Sequence, residues 1–435
     1  MDESFGGRVC AGWAENGGAF IDLQDLSDVE IAFVRGALSD RHAEGRLFEN
    51  HAEIAARPQD PPTTVEVASN FDDLPGGLGV VHGGHYIIAP AMKRGAPSNP
   101  ANRFEKSSYS VSEWDEPGDT SPHTILLKDT TRSIITYNDS PDVGFEASIN
   151  PYRGCEHGCI YCFARPNHEY LGFSAGLDFE TKILVKEDAP ELLRQELGSR
   201  SWKPQPIAIS GVTDAFQPIE RRLKLTRRCL EVLAECRNPV VIITKNELVT
   251  RDIDLLSELA RYDAALVMVS VTSLDADLAG ELEPRASQPA RRLAAIEALA
   301  AAGIPVGAML APMIPGLTDH EMPAILAAVK SAGARVAGYV PLRLPYGVAP
   351  LFEEWLTIHA PGQKTKILNR IREIRGGSLN DPNFGSRMSG SGAYAAHLES
   401  LFEVSCRKSG LNESRPKLSA DAFQRPATAQ MRLFG

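Results

Sequence analysis

The sequence has no apolar run approaching the roughly 20 residues that a membrane span requires. Its start, Met1-Asp2-Glu3-Ser4, lacks the basic flank and apolar stretch of a secretory signal. These absences argue against membrane-spanning and exported classes, so the chain is expected in the cytoplasm with no membrane partner. Cysteine is scarce as well, at 7 in 435 residues, an odd number without the even spacing of a disulfide framework. In a reducing compartment such cysteines are thiols, metal ligands or core fillers. Aromatics make up only 7%, against 43% hydrophobic and 23% charged residues, which is the balance of a globular protein of two or three domains.

The formal charge of −11 is unevenly placed. Residues 1–91 hold 15 acidic side chains against 5 arginines, which leaves a net of −1 for residues 92–435. An acidic total ordinarily argues against a polyanionic partner, but here it comes from one peripheral segment, so the affinity of the body for nucleic acid stays open. That segment contains many Gly, Asp and Pro residues. It has one short helical pattern, opened by the capping box Ser27-Asp28-Val29-Glu30 and carrying Val29, Phe33 and Val34. One helix makes no core, so residues 1–91 are expected to be largely disordered or loosely docked, with Leu74-Pro75-Gly76-Gly77 as linker.

From about Phe145 short β-branched runs alternate with longer helical ones. Strands are expected at Ala147 to Asn150, Pro206 to Ser210, Pro239 to Lys245, Ala264 to Val271, Pro305 to Met313 and Arg335 to Leu344, most of them near-continuous in apolar residues. Between them, Leu225 to Cys236, Asp252 to Tyr262, Pro289 to Ala302 and Asp319 to Ala332 carry helical periodicity. The last is opened by Thr318 with Glu321 three residues on. Six such βα units in right-handed succession make a parallel sheet, doubly wound or curled as a partial barrel. Helical patterns at Ala349 to His359, Gln363 to Arg375 and Gly392 to Lys408 form a C-terminal appendage. The expected division is an acidic segment (1–91), an N-terminal extension of the core (92–140), a βα body (141–345) and an α-helical region (346–435).

Directly after the first strand stands Arg153-Gly154-Cys155-Glu156-His157-Gly158-Cys159-Ile160-Tyr161-Cys162, three cysteines spaced C-x3-C-x2-C. Composition alone would produce such a triple about 0.002 times per chain. Thiolates this close together want a soft metal. Zinc, with His157 as fourth ligand, is one reading, although zinc sites normally draw their ligand pairs from two separated segments. A four-iron four-sulfur cluster with one iron left open to a substrate or cofactor is another, and a structural or electron-transfer cluster is a third.

The loop, with Tyr161 just before the third cysteine and a six-fold βα repeat behind it, resembles that of the radical S-adenosylmethionine superfamily. Asn138-Asp139-Ser140-Pro141, Ser148-Ile149-Asn150-Pro151-Tyr152-Arg153-Gly154 and Ser210-Gly211-Val212-Thr213-Asp214 resemble the branch related to spore photoproduct lyase, a DNA repair enzyme. So do Arg94-Gly95-Ala96 and Asn99 to Glu105. The resemblance covers about residues 92–435 and implies a partial (βα)6 TIM-like barrel. It further implies that Cys155, Cys159 and Cys162 hold a 4Fe-4S cluster whose open iron chelates S-adenosylmethionine. One electron then splits the cofactor into methionine and a 5′-deoxyadenosyl radical, drawn from a low-potential donor such as flavodoxin or ferredoxin.

In such barrels the site lies at the carboxyl ends of the strands. Tyr161, Ser210, Gly211, Thr213 and Asp214 are therefore expected at the cofactor, Asp214 as partner of the methionine ammonium. Lys245 is expected at its carboxylate, Ser270, Thr272 and Ser273 at the ribose, and Ala311 at the adenine. The plain alternatives are a helix cap at Thr213-Asp214, a solvated strand end at Lys245 and a turn at Ser273. Cys229, Cys236 and Cys406 fall on apolar helix faces and read as core. Ile209 to Asp214 contains no cysteine, whereas spore photoproduct lyase has a hydrogen-donating one beside its second strand, a departure that counts against identical repair chemistry. Arg221, Arg222, Lys224, Arg227 and Arg228, with Arg370, Arg372 and Arg375, read as solvated helix faces or as a phosphate-tracking surface. The expected function is a radical S-adenosylmethionine enzyme, first a lyase on damaged nucleic acid. Modification of a protein or RNA, and a non-catalytic iron-sulfur sensor, are the alternatives.

Overall fold

The computed structural model describes residues 94–105 and 123–426, together with the strands at 8–14, 17–22, 81–82 and 85–86. The chain divides into two compact units, residues 1–92 with 116–123 and residues 93–115 with 124–435. In the first, Arg8–Ala14 pairs antiparallel with Gly17–Asp22, and Val81–His82 with His85–Tyr86. These pairs are not what the composition suggests. The helix expected at residues 27–34 and the linker at 74–77 lie outside the described residues.

The second unit is built on six parallel strands, β1 (Ala147–Ile149), β2 (Ile207–Ile209), β3 (Val240–Thr244), β4 (Ala265–Ser270), β5 (Val306–Met313) and β6 (Val336–Pro341). They lie side by side in chain order, and Ile135–Tyr137 joins the free edge of β1 antiparallel, giving a seven-stranded sheet that ends at β6. This is the partial barrel. Each strand is a short apolar run because helices cover one face and side chains fill the other, so most positions are buried, the rest are half-buried and none is exposed. Ile149, Ile207, Ile242, Val267, Val269 and Ala308 meet the apolar faces of Leu225–Cys236, Pro289–Ala301 and Met322–Ser331 in one core. Each large aliphatic residue buried there is worth about 1.5 to 3 kcal/mol. Cys229, Cys236 and Cys406 are part of it, as their helical spacing requires.

The helix after β5 starts differently from its sequence pattern. Thr318 Oγ1 accepts from Ile314 N at 2.9 Å, and Glu321 accepts from Ser273 Oγ at 2.7 Å and Leu274 N at 2.7 Å, so the expected capping box is not formed. Both side chains are drawn to neighbouring loops instead. A three-stranded sheet of Ile125–Lys128, Lys182–Val185 and Tyr152–Arg153 flanks the entry to the cysteine loop. The C-terminal helices Val348–His359 and Lys364–Ile374 bury Phe352, Trp355, Ile367 and Ile371 against Ile160, Tyr161 and Leu344, so the appendage is packed directly behind the cysteine loop. No helix among the described residues is long and apolar enough to cross a membrane.

Candidate active site

The loop Cys155 to Cys162 leaves the end of β1 through Gly154 and turns again at Gly158, with φ of +80° and +69°, the left-handed region that glycine enters without strain. It is clamped from several sides. Cys155 N donates to Phe179 O at 2.9 Å, Ile160 N to Leu282 O at 3.0 Å, and Arg285 N to His157 O at 3.1 Å. The fully buried Arg165 gives Nε to Cys159 O at 3.0 Å and Nη2 to Gly158 O at 3.2 Å, and pairs with Glu180 at 2.5 Å. Glu180 in turn accepts from Gly95 N at 2.9 Å and Ala96 N at 2.8 Å. A Cβ on Gly95 would lie 1.6 Å from Gly158 O, so only glycine permits this approach. The Arg94-Gly95-Ala96 segment thus belongs to the loop's scaffold.

His157 stands inside the loop with both ring nitrogens engaged. Asn246 Oδ1 accepts from Leu248 N at 3.0 Å and Ser287 Oγ at 3.2 Å, which turns its Nδ2 toward His157 Nε2 at 3.1 Å. Nε2 therefore accepts, and Nδ1 carries the proton that points at Asp214 Oδ2, 3.4 Å away. With both ring nitrogens engaged, His157 is not offered to the loop as a fourth ligand, which counts against the zinc reading. Among the described residues no three of His, Cys, Asp or Glu converge as a single ion demands. An iron-sulfur cube takes each thiolate at a separate corner and needs no such convergence.

The three cysteines are free thiols, Cys155 and Cys159 buried and Cys162 half-buried. Burial pushes all three thiols up. Asp214 adds to this at Cys155 and Glu283 at Cys159, while Lys245 opposes it at Cys159, and Arg165 and Lys245 oppose it at Cys162. Three soft donors in a buried loop with cations nearby fit a multi-iron cluster, which would bind them as thiolates.

The strand ends behave less uniformly than their positions suggest. Asp214 is engaged by the scaffold. Its carboxylate accepts from Phe216 N at 2.9 Å, Thr244 Oγ1 at 2.8 Å and Lys245 N at 2.8 Å, as well as facing His157, so its lone pairs are spent. Burial pushes this carboxyl up, yet the facing His157 ring and the donors outweigh it and hold it below the ordinary value. Thr213 is likewise consumed, donating Oγ1 to Tyr152 O at 2.9 Å. The left-handed residue after β2 is Ser210, at φ +76°, and its Oγ accepts from Ala215 N at 2.8 Å. The neighbouring Gly211 has only ordinary van der Waals surroundings where a Cβ would sit, so nothing there demands glycine.

Lys245 is different: its Nζ donates to Ala311 O at 3.1 Å, lies 5.9 Å from the centre of the Tyr161 ring, and keeps two further donors. At β4 the hydroxyls of Thr272 and Ser273, expected at the ribose, are bonded within the scaffold, while at Ser270 it is the backbone carbonyl that is engaged. Thr272 Oγ1 donates to Glu283 at 2.5 Å, Ser273 Oγ to Glu321, and the carbonyl of Ser270 takes Arg292 Nη1 at 3.0 Å. The buried Glu283, absent from the sequence reading, gathers Tyr161 Oη, Thr272 and the Arg292 guanidinium around one carboxylate. No spacing in the sequence points to it, since it follows a helix and ends no strand.

The basic runs are taken up in part. Arg227 is bound to Asp252 at 2.9 Å and Asp254 at 2.8 Å, Arg221 is 3.7 Å from Glu247, and Arg370 pairs with Glu373. Arg375 is buried and donates to the carbonyls of Pro341, Leu342, Ser386 and Arg387. Arg227 and Arg375 thus brace loops, while Arg221, Arg222, Lys224 and Arg228 lie exposed on the surface.

The profile of the Radical SAM superfamily matches residues 149–329, which begin at the end of β1 and include the whole cysteine loop. An uncharacterized protein of Mycobacterium tuberculosis is 35% identical over 265 residues, covering 60% of this chain and 76% of its own. An uncharacterized protein of Methanocaldococcus jannaschii is 32% identical over 178 residues, 41% of this chain and 64% of its own. Among solved structures, spore photoproduct lyase complexed with dinucleoside spore photoproduct is similar at 17% identity and a TM-score of 0.48, over 66% of this chain and 80% of that one.

Proposed function

The chain belongs to the radical S-adenosylmethionine superfamily, and from that premise we propose that it reductively cleaves S-adenosylmethionine at a 4Fe-4S cluster bound by Cys155, Cys159 and Cys162. The observation that carries this reading is the engagement of His157 by Asp214 and Asn246, which leaves the loop three thiols and no fourth ligand of its own. Held by Cys155, Cys159 and Cys162, such a cluster would supply one-electron reductive cleavage of the cofactor, the radical chemistry this reading requires.

The remaining work falls to the chain's own side chains. Arg165 and Glu180 hold the loop's carbonyls and turn in place. Lys245, fixed at Ala311 O, offers its two other N–H groups to the methionine carboxylate. Glu283 orients Tyr161 and Thr272 and is neutralised by Arg292, so no uncompensated charge stands beside the cofactor. The electron comes from a low-potential donor of the flavodoxin or ferredoxin kind. A lyase acting on damaged nucleic acid is the finer reading, supported by the sequence resemblance at Asn138 to Pro141 and Ser210 to Asp214.

Anaerobic reconstitution with iron and sulfide, then reduction in the presence of S-adenosylmethionine, tests the proposal. About four irons per chain and 5′-deoxyadenosine formation are expected. Stoichiometric zinc without iron would overturn the cluster assignment. A cluster that never yields 5′-deoxyadenosine would make this an iron-sulfur sensor. Mass spectrometry of ultraviolet-damaged DNA after the same incubation tests the lyase reading.

A further inference from the structure

We propose that Arg343, at the mouth of the barrel just beyond β6, binds the phosphate of a nucleotide-type substrate group, with the exposed ring of Phe163 as the neighbouring surface for its base. This rests on the reading above in one respect, that the barrel mouth is where substrate meets the cofactor. Phe163 directly follows Cys162, its residue is 48% exposed, and the Arg343 guanidinium lies 5.0 Å from the centre of its ring. Substrate held there would sit next to the third cysteine of the loop.

What singles out Arg343 is that it is unspent. It is half-buried, yet among the described residues it makes no hydrogen bond and no ion pair, while the arginines around it are all engaged. Arg387 grips Asp142 through two nitrogens, and Arg375 is occupied by backbone carbonyls. Burial and the nearby Arg387 both lower the Arg343 pKa, and Asp142 opposes them, so this guanidinium feels a second cation as well as one carboxylate. Three guanidiniums in this corner, Arg343, Arg375 and Arg387, face two carboxylates, Asp142 and Asp381. One positive charge is left over.

A partly desolvated guanidinium without a partner is costly, and its planar fork of donors matches the oxygens of phosphate. Exposed aromatic rings beside an arginine accept planar bases by stacking, with little dependence on sequence. Phe384, 60% exposed with Arg387 4.6 Å from the centre of its ring, is a second exposed ring beside an arginine of this corner. The chemistry is shared by a nucleic-acid strand and a free nucleotide.

The test measures binding to the reconstituted full-length protein by fluorescence anisotropy, using a labelled eight-nucleotide single strand, with adenosine monophosphate and inorganic phosphate as competitors. Wild type should bind the strand or the mononucleotide. Arg343→Gln should weaken that binding by about tenfold or more, and Arg343→Lys, which keeps the charge but not the fork, by less. Competition by mononucleotide with no strand binding would identify a free nucleotide as the source. Strand binding that mononucleotide barely displaces would identify nucleic acid. Unaltered binding in Arg343→Gln, verified as folded by iron content and thermal midpoint, overturns the assignment, as does a wild type that binds none of the probes. Cofactor cleavage is scored separately on wild type without nucleotide. Arg343-dependent binding in a protein that forms no 5′-deoxyadenosine would sink the enzyme reading and leave this site standing.

Discussion

Arg387 closes on Asp142 from 245 residues away in sequence, Nε to Oδ2 at 2.8 Å and Nη2 to Oδ1 at 2.6 Å. Asp142 lies in the loop between Ile135–Tyr137 and β1, at one edge of the sheet. Arg387 belongs to the helical turn Ser386–Ser389, which Arg375 ties to the end of β6 at the other edge. The two edges that hydrogen bonding leaves apart are therefore joined by side chains, and the join lies beside Arg343 at the mouth.

Replacing Asp142 with Asn breaks that join by removing the charge of the pair and one of its acceptors. A charge-assisted pair of this kind, partly exposed, should cost about 1 to 3 kcal/mol of stability. The Arg387 guanidinium holds the Asp142 carboxyl well below the usual carboxylate range, and the Gly385 amide adds to this against the opposing effect of burial. A folded carboxyl more acidic than the unfolded one contributes its full stability above the unfolded value of about 3.9 and loses it as pH falls further. Urea unfolding should thus separate wild type from Asp142→Asn at pH 6, with the gap narrowing as pH falls below about 4 and closing only below the depressed value of the folded carboxyl. A gap that does not narrow at all between pH 6 and pH 3 would show the ion pair is not its source.

Cys155→Ala, Cys159→Ala and Cys162→Ala should each abolish cluster assembly, because three thiolates are the fewest that hold the cube with one iron open. Cys229→Ala and Cys406→Ala empty only apolar core positions and should keep full iron content. Iron and acid-labile sulfide, measured side by side, check both halves.

Asp214 and Lys245 should separate cleanly. An amide side chain at position 214 can satisfy only some of the donors that Asp214 now receives from Phe216 N, Lys245 N, Thr244 and His157, so Asp214→Asn should lower stability by about 1 to 3 kcal/mol and make the cluster labile. Lys245→Met removes one charge-assisted contact at the mouth and should weaken S-adenosylmethionine binding about ten- to a hundred-fold while iron is retained. Calorimetric titration with the cofactor, set beside thermal midpoints, distinguishes them. If Asp214→Asn folds normally and alone loses the cofactor, the carboxylate contacts the ligand after all.

Arg292→Met should be among the most damaging single changes, because it strands the fully buried Glu283 carboxylate without its cation. Removing one partner of such a pair costs about 3 to 5 kcal/mol, whereas Glu283→Gln with Arg292→Met together should recover part of it. A double-mutant cycle in denaturant measures the coupling.

The barrel was legible because its strands are short, nearly all-apolar runs spaced by periodic helices, and Leu225–Cys236 occupies the span its periodicity marks. The cysteine loop was legible from spacing alone. What spacing cannot carry is the identity of a side chain's partner. Asp214, Thr213, Thr272 and Ser273 stand at strand ends as expected, yet each is bonded to the scaffold, and strand-end position does not say to whom a group bonds. Glu180 and Glu283 escaped notice because their partners are remote, Gly95 by 85 residues and Tyr161 by 122. The small sheet beside the loop escaped because its strands are only two to four residues long.

The acidic segment 1–91 gives the last prediction, on the proposal that it is a unit separate from the cluster-binding body. The body's own contacts begin at Arg94, whose Nη1 donates to Glu180 O at 2.9 Å, followed by the amides of Gly95 and Ala96 on the Glu180 carboxylate. A chain starting at Met92 keeps these donors and every residue of the cysteine loop, so it should fold, take up iron and form 5′-deoxyadenosine like the full chain. A chain starting at Pro97 loses the Arg94 contact and both amides. Glu180, fully buried, is then held by Arg165 alone, and the Gly158 turn loses the backbone packed against it. Its cost should be about 1 to 3 kcal/mol per lost hydrogen bond to the charge, seen as reduced iron content and a lower thermal midpoint. Comparing the three chains under one reconstitution protocol decides the matter. If the Met92 chain aggregates or fails to hold iron, the first 91 residues are part of the working body and the boundary drawn from charge is wrong.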